Sequence, residues 1–253
     1  MIESPQFPLD IEATVVTDPA AITSTVEWVL LSVKAHQTPG AAEWLSRLCG
    51  ADTKVLVVQN GIEHDLADAY TNGAPTIPTV VYCGAELLEP GHIKHSSAGH
   101  LFVPDQPYGD ALLELFAESQ AEVRPTSAFA TEKWRKLSFN VLLNGLTALT
   151  GRTLSVVGDP AIRPIAIETV RECWQIARAD GADLDPDGAE AIIDRLINSG
   201  NDGGTSMLYD TRAGRPTEHD AIHGSALRRA EALGIDTPTI RFIHGLLDAR
   251  SRA

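Results

Sequence analysis

Two short apolar runs organise the first half of the chain. Residues Glu27-Trp-Val-Leu-Leu-Ser-Val33 and Lys54-Val-Leu-Val-Val-Gln59 have the length and β-branched content of strands buried on both faces. Between them, from Thr38 to Gly50, Pro39 can open a helix, and Ala42, Trp44, Leu45 and Leu48 recur at helical spacing. The unit therefore reads as strand, helix, strand, a parallel crossover. A second unit of that kind follows, with a helix over Glu63 to Thr71 and a strand over Thr79 to Tyr82. Loose alternation from Glu86 to Val103, as in His92-Ile-Lys-His-Ser96 and His100-Leu-Phe-Val103, predicts antiparallel edge strands. A helix at Asp110 to Ala117 leads into Glu122-Val-Arg-Pro-Thr-Ser127, which reads as a linker.

Beyond that point the periodicity is helical throughout. Segments Thr131 to Thr150, Ala161 to Ala179, Asp187 to Asn198, Glu218 to Ala232 and Thr237 to Ala249 are separated by Gly151, Gly158-Asp-Pro160, Asp185-Pro186 and Gly200 to Gly204. Alternating β and α followed by helices alone predicts an α/β protein: a sheet domain over residues 1–126, then an all-helical domain over 127–253.

Composition narrows the function classes. With 43% hydrophobic and 21% charged residues, the 253-residue chain is globular. A formal charge of −14 repels phosphate backbones and anionic lipid, so no nucleic-acid or membrane partner is expected. Cys49, Cys83 and Cys173 are odd in number and widely spaced, which fits reduced thiols and a cytoplasmic protein. The opening MIESPQFPLD has neither a basic nor an apolar leader region, and no run of about 18 apolar residues occurs anywhere.

Both strands deliver polar residues at their carboxyl ends, Lys34-Ala-His-Gln37 and Gln59-Asn60-Gly61, where open α/β sheets bind ligands. Asn60-Gly61 is equally a turn former, and Lys34 equally a solvated loop residue. On the first long helix Lys136, Asn140 and Asn144 recur every four residues and make one polar stripe among Leu, Phe, Val and Ala. Such a stripe is either a solvent face or the lining of a cleft. Asparagine is a weak helix former, and two in mid-helix favour the cleft, where the lysine can donate a proton and the amides can hold oxygens. Thr205-Ser206 and Thr217-Glu218 sit at helix starts, where such residues also serve as caps. His92, His95 and His100 lack a companion ligand pattern, and no metal site is expected.

These residues resemble the ketopantoate reductase (2-dehydropantoate 2-reductase) family over nearly the whole chain. The marks are VLLSVKAHQT with Lys34 and Gln37, VLVVQNGIE with Asn60, KWRKLSFNVLLNGLTALTG with Lys136, Asn140 and Asn144, and TSMLYDTRAGRPTEHDAIHG with Ser206, Asp210 and Glu218. The resemblance implies a truncated Rossmann-like domain followed by a helical domain like the C-terminal part of 6-phosphogluconate dehydrogenase, with the active site in the cleft between them. It implies NADPH-dependent (NADP as cofactor) reduction of a 2-keto acid, 2-dehydropantoate or a relative, as in pantothenate biosynthesis, and allows a homodimer. Lys136 would be the general acid and Glu218 its orienting carboxylate or a hydroxyl ligand. Ser206, Asn140 and Asn144 would bind substrate, and Lys34, Gln37, Asn60 and Glu218 the cofactor.

Three departures from the family pattern stand out. No GxGxxG turn, the family's pyrophosphate cradle, occurs in the sequence, so the chain is expected to be an N-terminally shortened form. Gly145 stands where the family commonly has proline, and Arg152-Thr-Leu154 lacks a further family asparagine. Two other readings are a non-catalytic association protein using the helical domain, and a related hydroxy-acid or polyol-phosphate dehydrogenase.

Overall fold

The computed structural model describes residues 2–3, 10–95, 99–200 and 202–252. Residues 4–9 of the opening stretch and Ser96, the last residue of an expected strand, lie outside the described residues. The chain divides into two compact units. The first comprises Met1–Val33, Gln37–Gln59 and His64–Phe129; the second comprises Lys34–His36, Asn60–Glu63 and Ala130–Ala253.

The first unit carries β1 (Ile2–Glu3), β2 (Trp28–Leu31), α1 (Ala42–Leu48), β3 (Lys54–Val57), β4 (Thr76–Pro78), β5 (Val80–Tyr82), β6 (Ala85–Glu89), β7 (His92–His95), β8 (His100–Pro104), α2 (Gly109–Leu115) and β9 (Glu122–Thr126). The crossover predicted from the two apolar runs is present: β2 and β3 pair in parallel, with Val29 opposite Val55 and Leu31 opposite Val57. β4 continues the parallel sheet on the other side of β3. Alternation along β3 explains why Val55, Leu56 and Val57 are all apolar. Val55 and Val57 face a cluster with Leu45 of α1, Cys49 and Ala67. Leu56 faces the opposite cluster, with Ile77, Leu101, Val103, Leu112 and Val123.

Four expectations change here. β2 is not buried on both faces: it ends the strand order β2-β3-β4, and its Leu30 is 49% exposed. The segment expected as a helix after Gly61 forms 3-10 turns over His64–Tyr70, closed where the Thr71 hydroxyl donates to the Asp68 carbonyl. The strand expected over Thr79–Tyr82 is present as β5, but it pairs antiparallel with β8; the strand that continues the parallel sheet is the preceding β4, which the sequence reading did not expect, and Thr79 separates the two. The expected linker is β9, paired in parallel with β8 from His100↔Glu122 to Pro104↔Thr126. Pro125 misled the reading because it cannot donate to a ladder, yet β9 ends the order β5-β8-β9, and edge strands tolerate proline. The antiparallel expectation holds for β6–β7 and for β5–β8.

The second unit is helical: α3 (Phe129–Thr150), α4 (Arg163–Ala179), α5 (Ala189–Asn198), α6 (Ser206–Arg212), α7 (Ser225–Ala232) and α8 (Pro238–Ser251). Trp134, Leu137, Val141 and Leu142 of α3, Val170 and Ile176 of α4, and Ile240 and Ile243 of α8 share one core. Polar clamps fix the helix ends against it. The buried Glu172 on α4 accepts from Thr239 N and Ile240 N at 2.8 and 2.9 Å, satisfying free donors at the start of α8. Trp134 Nε1 donates to Asp180 Oδ2 at 2.7 Å, just past the end of α4.

Candidate active site

The polar stripe of α3 is set by helix geometry, since residues four apart stand one above another. Lys136 and Asn140 are half-buried and Asn144 is buried at 4% exposure, so the stripe deepens toward the C-terminal end of α3. Burying an amide costs free energy unless it is hydrogen-bonded, which argues against a plain solvent face.

Two short segments that follow the strands count with the helical unit, Lys34–His36 and Asn60–Glu63. They complete a line of side chains there. Asn140 Nδ2 donates to Asn60 Oδ1 at 3.4 Å, and Asn60 Nδ2 donates to Glu218 Oε2 at 3.0 Å. The other Glu218 oxygen accepts from the Ala35 backbone N–H at 3.4 Å. Glu218 is buried at 8% exposure, and these donors hold its carboxylate in place. Asn60 is therefore more than a turn former. Gly61, at φ +98°, makes the turn while the Asn60 side chain bridges α3 and Glu218.

Lys34 is not simply solvated either: its Nζ meets Asp210 Oδ2 at 2.5 Å, and Asp210 is buried. The second Asp210 oxygen accepts from Arg215 Nε at 2.9 Å, so one carboxylate gathers two cations. Ser206 is exposed at the first position of α6, and the cap of that helix is the preceding residue. Thr205 Oγ1 accepts from Leu208 N at 3.1 Å and lies 2.7 Å from Thr147 Oγ1 of α3. The start of α6, and Ser206 with it, is thereby pinned to the helix that carries the stripe.

Seven of the eight residues singled out from sequence thus belong to the helical unit: Lys34, Asn60, Lys136, Asn140, Asn144, Ser206 and Glu218. Hydrogen bonds join Asn60, Asn140 and Glu218 directly. Gln37 belongs to the sheet unit, exposed in the 3-10 segment Ala35–Ala41. Sequence reasoning assigned no role to Asp210, Arg215 or Thr147. Asp210 stands among the marks of the resemblance without a role and is the one acidic residue of α6, whereas nothing local marks Arg215 or Thr147.

The histidines weighed for a metal have other neighbours. His92 Nε2 lies 2.7 Å from Glu3 Oε1 and His100 Nδ1 lies 2.9 Å from Glu122 Oε2. Among the described residues no group of three or more His, Cys, Asp or Glu side chains is placed to hold a metal ion. No helix among them is long and apolar enough to cross a membrane.

Comparison with known proteins identifies the family of the chain. Residues 3–107 match the family model described as ketopantoate reductase PanE/ApbA, and residues 128–251 match the model of its C-terminal part. The 2-dehydropantoate 2-reductase of Mycobacterium tuberculosis is 34% identical over 245 residues, covering 96% of this chain and 83% of the relative. That of Caulobacter vibrioides is 32% identical over 249 residues, covering 98% and 85%. Among solved structures, the PanE/ApbA family ketopantoate reductase of Ralstonia eutropha superposes with a TM-score of 0.88 at 28% identity, over 99% of this chain and 84% of the other. The dimeric ketopantoate reductase of Staphylococcus aureus superposes with a TM-score of 0.87 at 25% identity, over 99% and 86%. The chain belongs to the ketopantoate reductase family of oxidoreductases.

Proposed function

We propose that this chain is a reductase of 2-dehydropantoate or a close 2-keto acid, with NADPH as the reductant. The observation that carries the reading is the line Asn140, Asn60, Glu218 beside Lys136 on one face of α3. When bound, a reduced nicotinamide supplies the hydride, and the protein's part is placement, charge and a proton.

The residues present fit the nicotinamide end of such a cofactor. Lys34 and Asn60 lie shortly after β2 and β3, beyond the carboxyl ends where open parallel sheets take ligands, and both are held by buried carboxylates rather than left to find their own positions. They are assigned to the nicotinamide half of the cofactor. Gln37 is assigned the same role on the family resemblance alone.

Lys136 is assigned as general acid: its ammonium gives a proton to the keto oxygen as negative charge develops there, and the product is the 2-hydroxy acid. Asn140 and Asn144 offer amide N–H groups, and Ser206 a hydroxyl, to the substrate's carboxylate and hydroxyl oxygens. Glu218 aligns this set: it fixes Asn60, which in turn holds Asn140. The relatives' names supply the substrate, and the dimeric relative supports a homodimer as the assembly to look for.

The test is the loss of reduced-nicotinamide absorbance with 2-dehydropantoate, run with NADPH and NADH and against glycerone phosphate as the rival substrate class. Turnover of the keto acid with a preference for NADPH is expected. Turnover of the polyol phosphate alone would overturn the substrate, and a preference for NADH would overturn the cofactor.

A further inference from the structure

Just after Glu218 the helix contains a group that the proposed chemistry does not use. Residues Asp220–Gly224 form a π turn, which takes in one residue more than an α turn and recurs at functional sites. His223 lies in this turn with no exposed surface, its Nε2 2.8 Å from the carbonyl oxygen of Val141. A carbonyl only accepts, so Nε2 carries the hydrogen, as it does in the Nε2–H form of the neutral ring. Burial pushes the ring's pKa down to about 3, which keeps it in that form.

The partners of the turn are what give His223 meaning. Val141 follows Asn140 on α3, and the Ile222 N–H bonds the Glu218 carbonyl at 3.0 Å, so the ring fastens the turn that starts at Glu218 to α3 beside Asn140. Gly61, next to Asn60, presses on the same turn: a Cβ there would stand 2.5 Å from the Ala221 carbonyl oxygen. From the other side Gly145 leaves the ring its space, because a Cβ at that position would stand 2.6 Å from His223 Nε2 and 2.8 Å from Ile243 Cγ2.

We infer that His223 is a positioning residue of the site: its bond to Val141 keeps Glu218 and Asn60 in register with Asn140, and Gly145 provides the room the ring needs. This rests on the reading of Glu218, Asn60 and Asn140 as site residues. A core histidine that merely fills volume would be replaced by leucine without effect on the Glu218 donors.

Hydrogen exchange on the full chain separates the two roles. The Ala35 backbone amide and the Asn60 side-chain amide both donate to Glu218, and amides in the middle of α4 serve as the reference for overall stability. His223→Leu keeps the bulk and removes the donor, whereas His223→Gln can place an amide nitrogen where Nε2 stands. Exchange of the two Glu218 donors relative to α4 is expected to rise about tenfold or more in the leucine variant and to stay within about threefold in the glutamine variant. An unchanged ratio in folded His223→Leu overturns the inference, and so does a uniform rise that includes α4. Where the leucine variant does not fold, His223→Gln and Gly145→Ala decide: the first should preserve the ratio and the second raise it, and the reverse overturns the inference. Glu218→Gln in the turnover assay tests the functional reading separately, since unchanged turnover there discards the site assignment without touching the exchange result.

Discussion

In the helical unit the buried apolar residues join into one cluster running from Trp134 to Leu247, whereas in the sheet unit they fall into two clusters on opposite faces of β3. The polar residues follow the same division. The helical unit holds the buried or half-buried hydrogen bonds of the carboxylates Glu218, Asp210 and Glu172, while the sheet unit exposes several large apolar side chains, with Ile11, Val15, Leu30, Leu66 and Leu87 between 49% and 83% exposed. A carboxylate can be kept buried only where packing is dense enough to hold its donors in place, because the penalty for losing one is large. The continuous core and the candidate site therefore occur in the same unit for one physical reason.

The comparison can be broken or sharpened by experiment. The largest effect is expected from Trp134→Ala, which removes a fully buried ring and its bond to Asp180 from the continuous core. A loss of about 3–5 kcal/mol in denaturant unfolding is expected, and a loss below about 1 kcal/mol would show that the core is not shared across the unit. Lys136→Ala should leave the fold intact and lower turnover by about a hundredfold or more, equivalent to roughly 2.7 kcal/mol of lost transition-state stabilisation. An unchanged rate removes Lys136 from its assigned role.

Acidification gives a graded test of the same unit. His223 titrates at about 3 when folded, against an ordinary value of 6.5, so between those limits the unfolded chain binds more protons. Its contribution is full above about pH 6.5 and falls as pH drops toward 3, with a slope of up to about 1.4 kcal/mol per pH unit. His244 behaves in the same sense, since burial and then His219 lower its pKa, and Asp220 in part opposes this. Unfolding midpoints measured at pH 7.5, 6 and 5 in wild type and His223→Gln should converge on acidification. Parallel curves would show that the ring is not held neutral by folding. The smallest effect is expected from Leu30→Lys on the edge strand β2, where a change within about 0.5 kcal/mol is expected. A loss of several kcal/mol would mean that this face is covered in solution.

The elements that sequence made legible are those built from local periodicity. β3 reads as a strand because Val55, Leu56 and Val57 are apolar in succession, and these three are buried on both faces. α3 reads as a helix with a polar stripe because Lys136, Asn140 and Asn144 stand four residues apart. Both properties follow from the strand period of two and the helix period of 3.6. The same logic could not see that β2, with an equally apolar run, lies at a sheet edge, or that β9 with its proline is paired at all, because both depend on which strand lies alongside.

The site divides in the same way. Residue types and spacing along the chain singled out Lys136, Asn140 and Asn144 and made Lys34 and Asn60 candidates by position, whereas Ser206 and Glu218 read as helix caps until the family resemblance gave them roles. Tertiary structure alone decided that Lys34 meets Asp210 across 176 residues and Asn60 meets Glu218 across 158. The π turn and the room that Gly145 leaves for His223 belong to that second category too. Periodicity is a property of neighbours along one element, whereas a buried carboxylate finds its donors only when separate elements close around it, and no local pattern records that meeting.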